Sequence, residues 1–575
     1  MPSTTDANEG GQTTGQRVGF WLGLVLFTVL LLCPTPDSMR QAVREHFAAD
    51  LPDNVACILN GTEWADAPVD SDAYRNALDR VVEDRARVMV MAAAVTALVA
   101  CWWITVAVPI PVTSLLPLLL FPLVGVLPIG SAAAPYANSN IFLFMGGFII
   151  ALAIERWNLH RRIALHIVRL VGGSRRTIVL GFMLASALLS MWISNTATTL
   201  MMLPIGMAIV TAVAELIDGG NRAEHANFSA ALMLGIAYAA SVGGVATPIG
   251  TPPNIAFQGQ FAEMFPAAPR ISFGQWTLAY VPLVVVFLPV VWLVLVRITC
   301  RVSSARLPVG REVVARDLRR LGPIRGPERK VLIIFLLTAV LWITRSIPFG
   351  ATNYGWSACL ERWLTAEGLL HYPFRAGFIN DATVALAMAV LLFVIPARRE
   401  ASGHRQFLID WKTAQRLPWG ILLLFGGGFA IAAAFRDSGL SYWCGVVFAN
   451  IGISNPLLVV LCTCLLMTFL TEITSNTATT QVMLPILARV SVTMGIHPLM
   501  LMLPATISAS CAFMLPVATP PNAIVFGSGC IPMSRMVRSG IIINFLGVIL
   551  VTATFYLVVR PLLGIDLTTV PAWAQ

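Results

Sequence analysis

Between Thr177 and Ala214 the sequence runs for 38 residues without a charged side chain. As one helix this run would measure about 57 Å, nearly twice the roughly 30 Å hydrocarbon thickness of a bilayer. At its centre, inside "WISNTATTLMMLPIG", stand Ser194, Asn195 and Thr196. Side chains of these types compete for helical hydrogen bonds and favour turns. The run is therefore read as two short helices meeting at Ser-Asn-Thr, a re-entrant hairpin over 176–214. Non-helical backbone at that depth survives only where protein or a water-filled cavity satisfies it. Two full crossings would also return the chain to the side it left, so hydropathy leaves that arrangement open.

The rest of the chain is of the same kind. Mean hydropathy is +0.77, and 12% of the residues are charged, against about 25% in soluble domains. Runs such as "VMVMAAAVTALVACWWITVAVPI" and "GIIINFLGVILVTATFYLVV" fit bilayer crossings of roughly 20 residues each. The fold class expected is an all-α polytopic membrane protein; the alternation of a membrane barrel is absent. A net charge of +9 comes from short basic patches between apolar runs, the pattern of positive-inside topology rather than of a nucleic-acid surface. Ten cysteines show neither a CxxC pair nor metal-ligand spacing with the seven histidines, and are expected to be buried small hydrophobes.

The basic patches orient the chain in a cell membrane. Residues 155–176, 301–330 and 397–416 are expected on the cytoplasmic side. The N-terminal tail 1–17 is then cytoplasmic, followed by a first transmembrane helix (18–33) and an acidic extracytoplasmic loop (34–87). Helices near 88–108, 110–128 and 138–155 lead into the first basic patch. The first unit occupies 88–300, with hairpin 176–214 and a broken helix over 228–262. A basic cytoplasmic linker (301–330) joins it to a second unit over 331–563, with hairpin 455–490 and broken helix 498–526. The tail 564–575 is expected outside.

The two units are one sequence used twice. "SNTATT" recurs at Ser475–Thr480, and "FLFMGGFIIALAIE" (142–155) resembles "LLFGGGFAIAAAFR" (423–436). From Gly146 to Ser194 is 48 residues, as is Gly427 to Ser475. Each unit then carries a Pro-rich break, "GGVATPIGTPPNIAF" and "MLPVATPPNAIVFGSG", where proline removes donors and restricts the preceding residue. The first repeated segment ends at the 155–176 patch, whereas its counterpart begins at the 397–416 patch, so the units run in opposite directions. Inverted repeats of this kind mark secondary transporters, with substrate and ions bound at the repeat interface.

Hairpin tips and unwound helices offer oxygen ligands to a small hard cation, while helix N-termini and Ser, Thr and Asn donors suit an anion. No Lys or Arg occurs in 177–214, 228–262, 456–488 or 498–534, and the only charge around Ser475 is Glu472. An anion bound there would need co-bound cations. No GxSxG, HExxH or Walker motif is present, which argues against an enzyme and an ATP-driven pump. An anion channel is the alternative from another class.

"SCAFMLPVATPPNAIV" (510–525), both SNT motifs and "WNLHRRIALHIV" (157–168) resemble the divalent anion:sodium symporter family over roughly residues 88–560. The resemblance implies about eleven transmembrane helices, two re-entrant hairpins and a homodimer with elevator-type movement. It implies sodium-coupled symport of a di- or tricarboxylate anion across the lipid bilayer. Sodium-independent exchange and sulfate transport are the family alternatives. By position it assigns one sodium ion to Ser190, Ser194, Asn195 and Gly243, and a second to Thr471, Thr474, Asn476 and Ala518. Substrate contacts map onto Asn195, Thr196, Gly244, Ser475, Asn476, Thr477, Thr519 and Pro520.

Overall fold

The computed structural model describes residues 13–574 apart from 61–67, 70, 172, 217–221, 306–307, 350–351, 367–377, 400–404, 450–454 and 568. Residues 1–12 of the expected N-terminal tail thus lie outside the described residues. Among the described residues nine helices are long and apolar enough to cross a bilayer, and three shorter apolar helices accompany them. Their outer surfaces expose Val, Leu and Ile where a soluble protein would place charge, as on Thr14–Leu32 with Val18, Val25 and Val29. The opposite face of that helix carries Gly19 and Gly23 against Thr105 and Trp102 of helix Asp72–Thr105, small residues that let two apolar helices approach closely.

Several boundaries differ from the sequence expectations. The stretch 34–87 is not a plain loop. It contains helices Asp37–His46 and Leu51–Leu59 and the first turns of Asp72–Thr105, a 34-residue helix about 51 Å long. Only the apolar part of that helix carries a bilayer signal, so its charged N-terminal turns read as loop. Ion pairs Arg40–Glu83 (2.7 Å) and Arg44–Asp79 (2.6 Å) dock the first short helix on it. The helix expected over 110–128 is interrupted and ends at Leu123, as Ile110–Thr113 and Leu116–Leu123.

The linker 301–330 holds helix Pro308–Leu321 and the start of Gly326–Thr344. Arg161–Asp317 (2.9 Å) and Arg162–Glu328 (2.5 Å) fasten it to the amphipathic helix Leu159–Val171. Two short antiparallel strand pairs, Pro348–Phe349 with Thr352–Asn353 and Pro396–Arg399 with Arg405–Phe407, interrupt the all-helical plan. All ten cysteines are free, but only Cys300, Cys464 and Cys511 are buried; Cys33, Cys57, Cys359 and Cys462 are exposed. Cys462 lies on an apolar helix face, where a small hydrophobe can meet lipid instead of a core.

The element order repeats. Ser139–Arg156, a short helix, a helical hairpin, a broken helix and Phe273–Leu293 are followed later by Trp419–Ser438 and the same series ending in Met533–Thr554. Even the ends match: both final helices pass into a π-helical turn, Val294–Thr299 and Phe555–Val559. The hairpins are Arg175–Ser190 with Asn195–Leu216, and Pro456–Ile473 with Asn476–Thr493. The broken helices are Arg222–Gly244 with Pro252–Met264, and Leu499–Ala509 with Pro520–Phe526. Elements of the two units exchange partners. The second leg of the first hairpin packs on Pro520–Phe526, and the second leg of the second hairpin packs on Pro252–Met264. Tyr238, fully buried, donates to the carbonyl oxygen of Phe513 at 2.6 Å and closes the same seam.

Candidate functional site

At the first tip the helix stops at Ser190, turns through 191–194 and restarts at Asn195. The Ser194 hydroxyl accepts the Ala197 N–H at 3.3 Å, opening the new helix. Ser190 Oγ donates to Asn195 Oδ1 at 2.5 Å. That amide oxygen also faces the carbonyl oxygens of Ala240 at 3.1 Å and Gly250 at 3.2 Å. Oxygens so placed repel unless a cation or a donor comes between them. Turning the amide over removes the clash: its NH2 then faces these three oxygens, its two hydrogens shared among the Ser190 hydroxyl and the carbonyls of Ala240 and Gly250.

Glycine is a requirement here. A Cβ on Gly244 would stand 2.5 Å from Asn195 Oδ1 and 3.1 Å from the Gly250 oxygen, and one on Gly243 would strike the Ala187 backbone of the hairpin's first leg. Ser190, Asn195, Gly243 and Gly244 are therefore brought together, joined by Ala240 and Gly250. Thr196 lies half-buried in the first turn of the new helix.

The second tip is tighter. Only Thr474 and Ser475 separate its helices. Thr474 Oγ1 bonds to the Leu470 carbonyl (2.7 Å) and the Thr479 hydroxyl (2.6 Å), and Thr471 donates back to Met467 (3.0 Å). Both hydroxyls thus spend their hydrogens locally and keep lone pairs for another partner. Asn476 Oδ1 is buried without a donor. Ser475 and Thr477 are half-buried, and Ala518 and Thr519 are buried beside the exposed Pro520. Thr519 caps Pro520–Phe526 through the Asn522 N–H at 3.4 Å. It shares its backbone shape (φ −140°, ψ 147°) with Thr251 (φ −139°, ψ 143°), which opens the matching half-helix of the first unit.

Three further residues do structural work at these tips that the sequence reading did not assign to them. Glu472 is buried, and its carboxylate accepts three consecutive backbone N–H groups, Phe513 (2.7 Å), Met514 (2.9 Å) and Leu515 (3.0 Å), together with the Asn544 amide (2.7 Å). It ties the second hairpin to the unwound segment just before Ala518; its equivalent in the first unit is the uncharged Met191. Asn254 and Asn522, fully buried at the ends of the two TPPN motifs, brace the breaks from within. Asn254 Nδ2 donates to the Thr247 carbonyl at 2.8 Å, and Asn522 Nδ2 to those of Ala512 and Leu515, each at 3.1 Å. The signal for both was the repeated TPPN itself. Among the described residues no group of three or more His, Cys, Asp or Glu could hold a metal ion, so oxygen from hydroxyls, amides and carbonyls is the donor chemistry these tips offer.

Comparison with known proteins agrees with this architecture. The model of the family described as "Sodium:sulfate symporter transmembrane region" matches residues 81–565. The chain is 44% identical over 476 residues to the sodium-dependent dicarboxylate transporter SdcS of Staphylococcus saprophyticus, covering 83% of this chain and 87% of that protein. It is 42% identical over 475 residues to the SdcS of Staphylococcus aureus, covering 82% and 86%. Among solved structures, the YdaH transporter of Alcanivorax borkumensis aligns with a TM-score of 0.50 at 15% identity, over 78% of this chain and 88% of that one, a likeness of fold alone. This is a transporter family and not an enzyme family. The chain belongs to the sodium:sulfate symporter family.

Proposed function

We propose that the protein is a sodium-coupled symporter of di- or tricarboxylates such as succinate, malate, fumarate or citrate. One observation carries the reading: two matching oxygen-lined tips, with no Lys or Arg in the four segments that form them, contain a buried carboxylate, Glu472. A dianion brought there meets no fixed positive charge. A sodium ion about 4 Å from a substrate carboxylate contributes on the order of 4 kcal/mol at an effective dielectric of about 20. Sodium is then a co-transported ion that the binding step requires. The sodium-dependent dicarboxylate transporters matched at 44% and 42% identity support this class.

In this reading Ser190, Ser194, Asn195 and the Gly243 backbone hold one sodium ion, and Thr471, Thr474, Asn476 and the Ala518 backbone hold the other. Asn195 presents its oxygen when the cation is bound and its NH2 when it is not. Substrate carboxylates lie on Asn195, Thr196 and Gly244 from one side and on Ser475, Asn476, Thr477, Thr519 and Pro520 from the other. The repeated element order supports two inverted units in a multi-pass cell-membrane protein of about eleven crossings. The hairpins open to opposite faces, the N-terminus is cytoplasmic and the C-terminus outside. Alternating access then moves the hairpins and broken helices, in an elevator manner, against a scaffold that pairs two copies of the chain.

Uptake of labelled succinate, citrate and sulfate into proteoliposomes, with Na+, K+ or choline outside, tests the assignment. Saturable succinate uptake in Na+ alone, with a cooperative Na+ dependence, is expected. Full-rate exchange in sodium-free buffer would replace symport with exchange, and sulfate uptake that succinate does not inhibit would change the substrate class.

A further inference from the structure

A polar cavity lies beside the half-helix Pro252–Met264. It encloses about 220 Å3 and is lined by Asn140, Gln258, Arg270, Arg345, Asn380 and Asp381 among others. That is below the roughly 300–1,000 Å3 of drug-sized pockets and on the scale of a short-chain acid. It sits at the start of helix Ser139–Arg156, whose other end runs into the basic helix Leu159–Val171. With that basic helix cytoplasmic, the cavity faces outside.

Its electrostatics are those of an anion site. Arg270 is exposed and has no acidic partner among the described residues. Arg345 pairs with Asp381, whose second oxygen accepts the Phe273 N–H at 3.0 Å. Two guanidinium groups against one carboxylate leave a net positive charge. Two helices also begin at the cavity: Asn140 lies in the first turn of an 18-residue helix, and Asn380 caps the 14-residue helix Asp381–Val394. Each N-terminus adds a partial positive charge of about half a unit. Gln258 completes the arrangement, because its Nε2 is buried there with no acceptor. A guanidinium, a free amide donor and two helix N-termini match the two oxygens of a carboxylate.

We propose that this cavity is an outer-face capture site for the carboxylate substrate, resting on the transport reading above. The tips lack arginine and depend on sodium, whereas the outer mouth carries arginine and does not. A carboxylate is drawn to Arg270 by its charge alone, which raises the encounter rate, and leaves it for the sodium-loaded tips.

Two measurements test this. In the first, Ile271→Cys, on the cavity wall, is labelled by a thiol reagent in choline buffer, in a background without the native cysteines. Succinate should slow the labelling several-fold, and adding Arg270→Gln should abolish the protection. In the second, uptake and efflux kinetics are compared for wild type, Arg270→Gln and Arg270→Lys. Arg270→Gln should raise the KM for uptake from outside about fivefold with Vmax within about twofold, while efflux KM stays unchanged and Arg270→Lys restores most of the loss. Labelling indifferent to succinate, or an Arg270→Gln KM equal to wild type or shifted equally on both faces, would overturn the proposal. Because the labelling needs no sodium and no transport, a protein that fails to carry succinate is told apart from a cavity that fails to bind it.

Discussion

Replacing either Asn195 or Asn476 with Ala is expected to weaken sodium and substrate binding together, by about 5- to 150-fold each, although the two residues lie 281 positions apart. Each amide can offer its oxygen to a cation and its NH2 to a carboxylate. At Asn195 the amide tip faces the Ser190 hydroxyl and two carbonyl oxygens, and at Asn476 the amide oxygen is buried without a donor. Truncation leaves those neighbours and any bound ion uncompensated, at about 1–3 kcal/mol per unsatisfied buried group. The check is to titrate Na+ and a dicarboxylate on purified, folded variants. Lower expression or stability with normal affinities in the surviving protein would mean that the asparagines only hold helices together.

Glu472→Gln should be damaging in a different way. The carboxylate accepts four hydrogen bonds, three of them from consecutive backbone N–H groups of the second break. A carboxamide keeps one oxygen. In its better orientation the new NH2 faces the Leu515 N–H, losing one charge-assisted bond and setting donor against donor. A loss of about 2–4 kcal/mol is expected, and Glu472→Ala, which strands all four donors, should lose more. Unfolding of the purified protein in detergent measures this, with and without Na+. A Glu472→Gln protein as stable as wild type, with unchanged Na+ stabilisation, would show that the carboxylate does not hold the second break in shape.

The features legible in the sequence were those written in local chemistry. A verbatim hexapeptide in two apolar runs marked both tips, and helices do restart at Asn195 and Asn476. Paired proline motifs marked both breaks, and helices reopen at Pro252 and Pro520. What stayed hidden depends on partners distant in sequence. Glu472 looked like a lone charge because its ligands are backbone N–H groups 41 to 43 residues away. Gly250 looked like one turn glycine among many until its oxygen was seen opposite Asn195. Arg270 and Arg345, 75 residues apart, meet at one cavity only through the packing of four helices and the loop before Phe273. The start of Asp72–Thr105 was missed because hydropathy reports burial in lipid, and its charged turns stand clear of it.

The measurement that bears most directly on the central claim is simultaneous flux of labelled sodium and labelled succinate in proteoliposomes holding an inward Na+ gradient. Two oxygen-lined tips without arginine predict uphill succinate accumulation with a fixed ratio of more than one sodium ion per succinate. Accumulation should collapse when the Na+ gradient is dissipated, and Asn195→Ala and Asn476→Ala should each lower both fluxes together at sub-saturating concentrations. Succinate movement that proceeds at full rate without sodium, or sodium entry that ignores succinate, would contradict a single site built from both repeats.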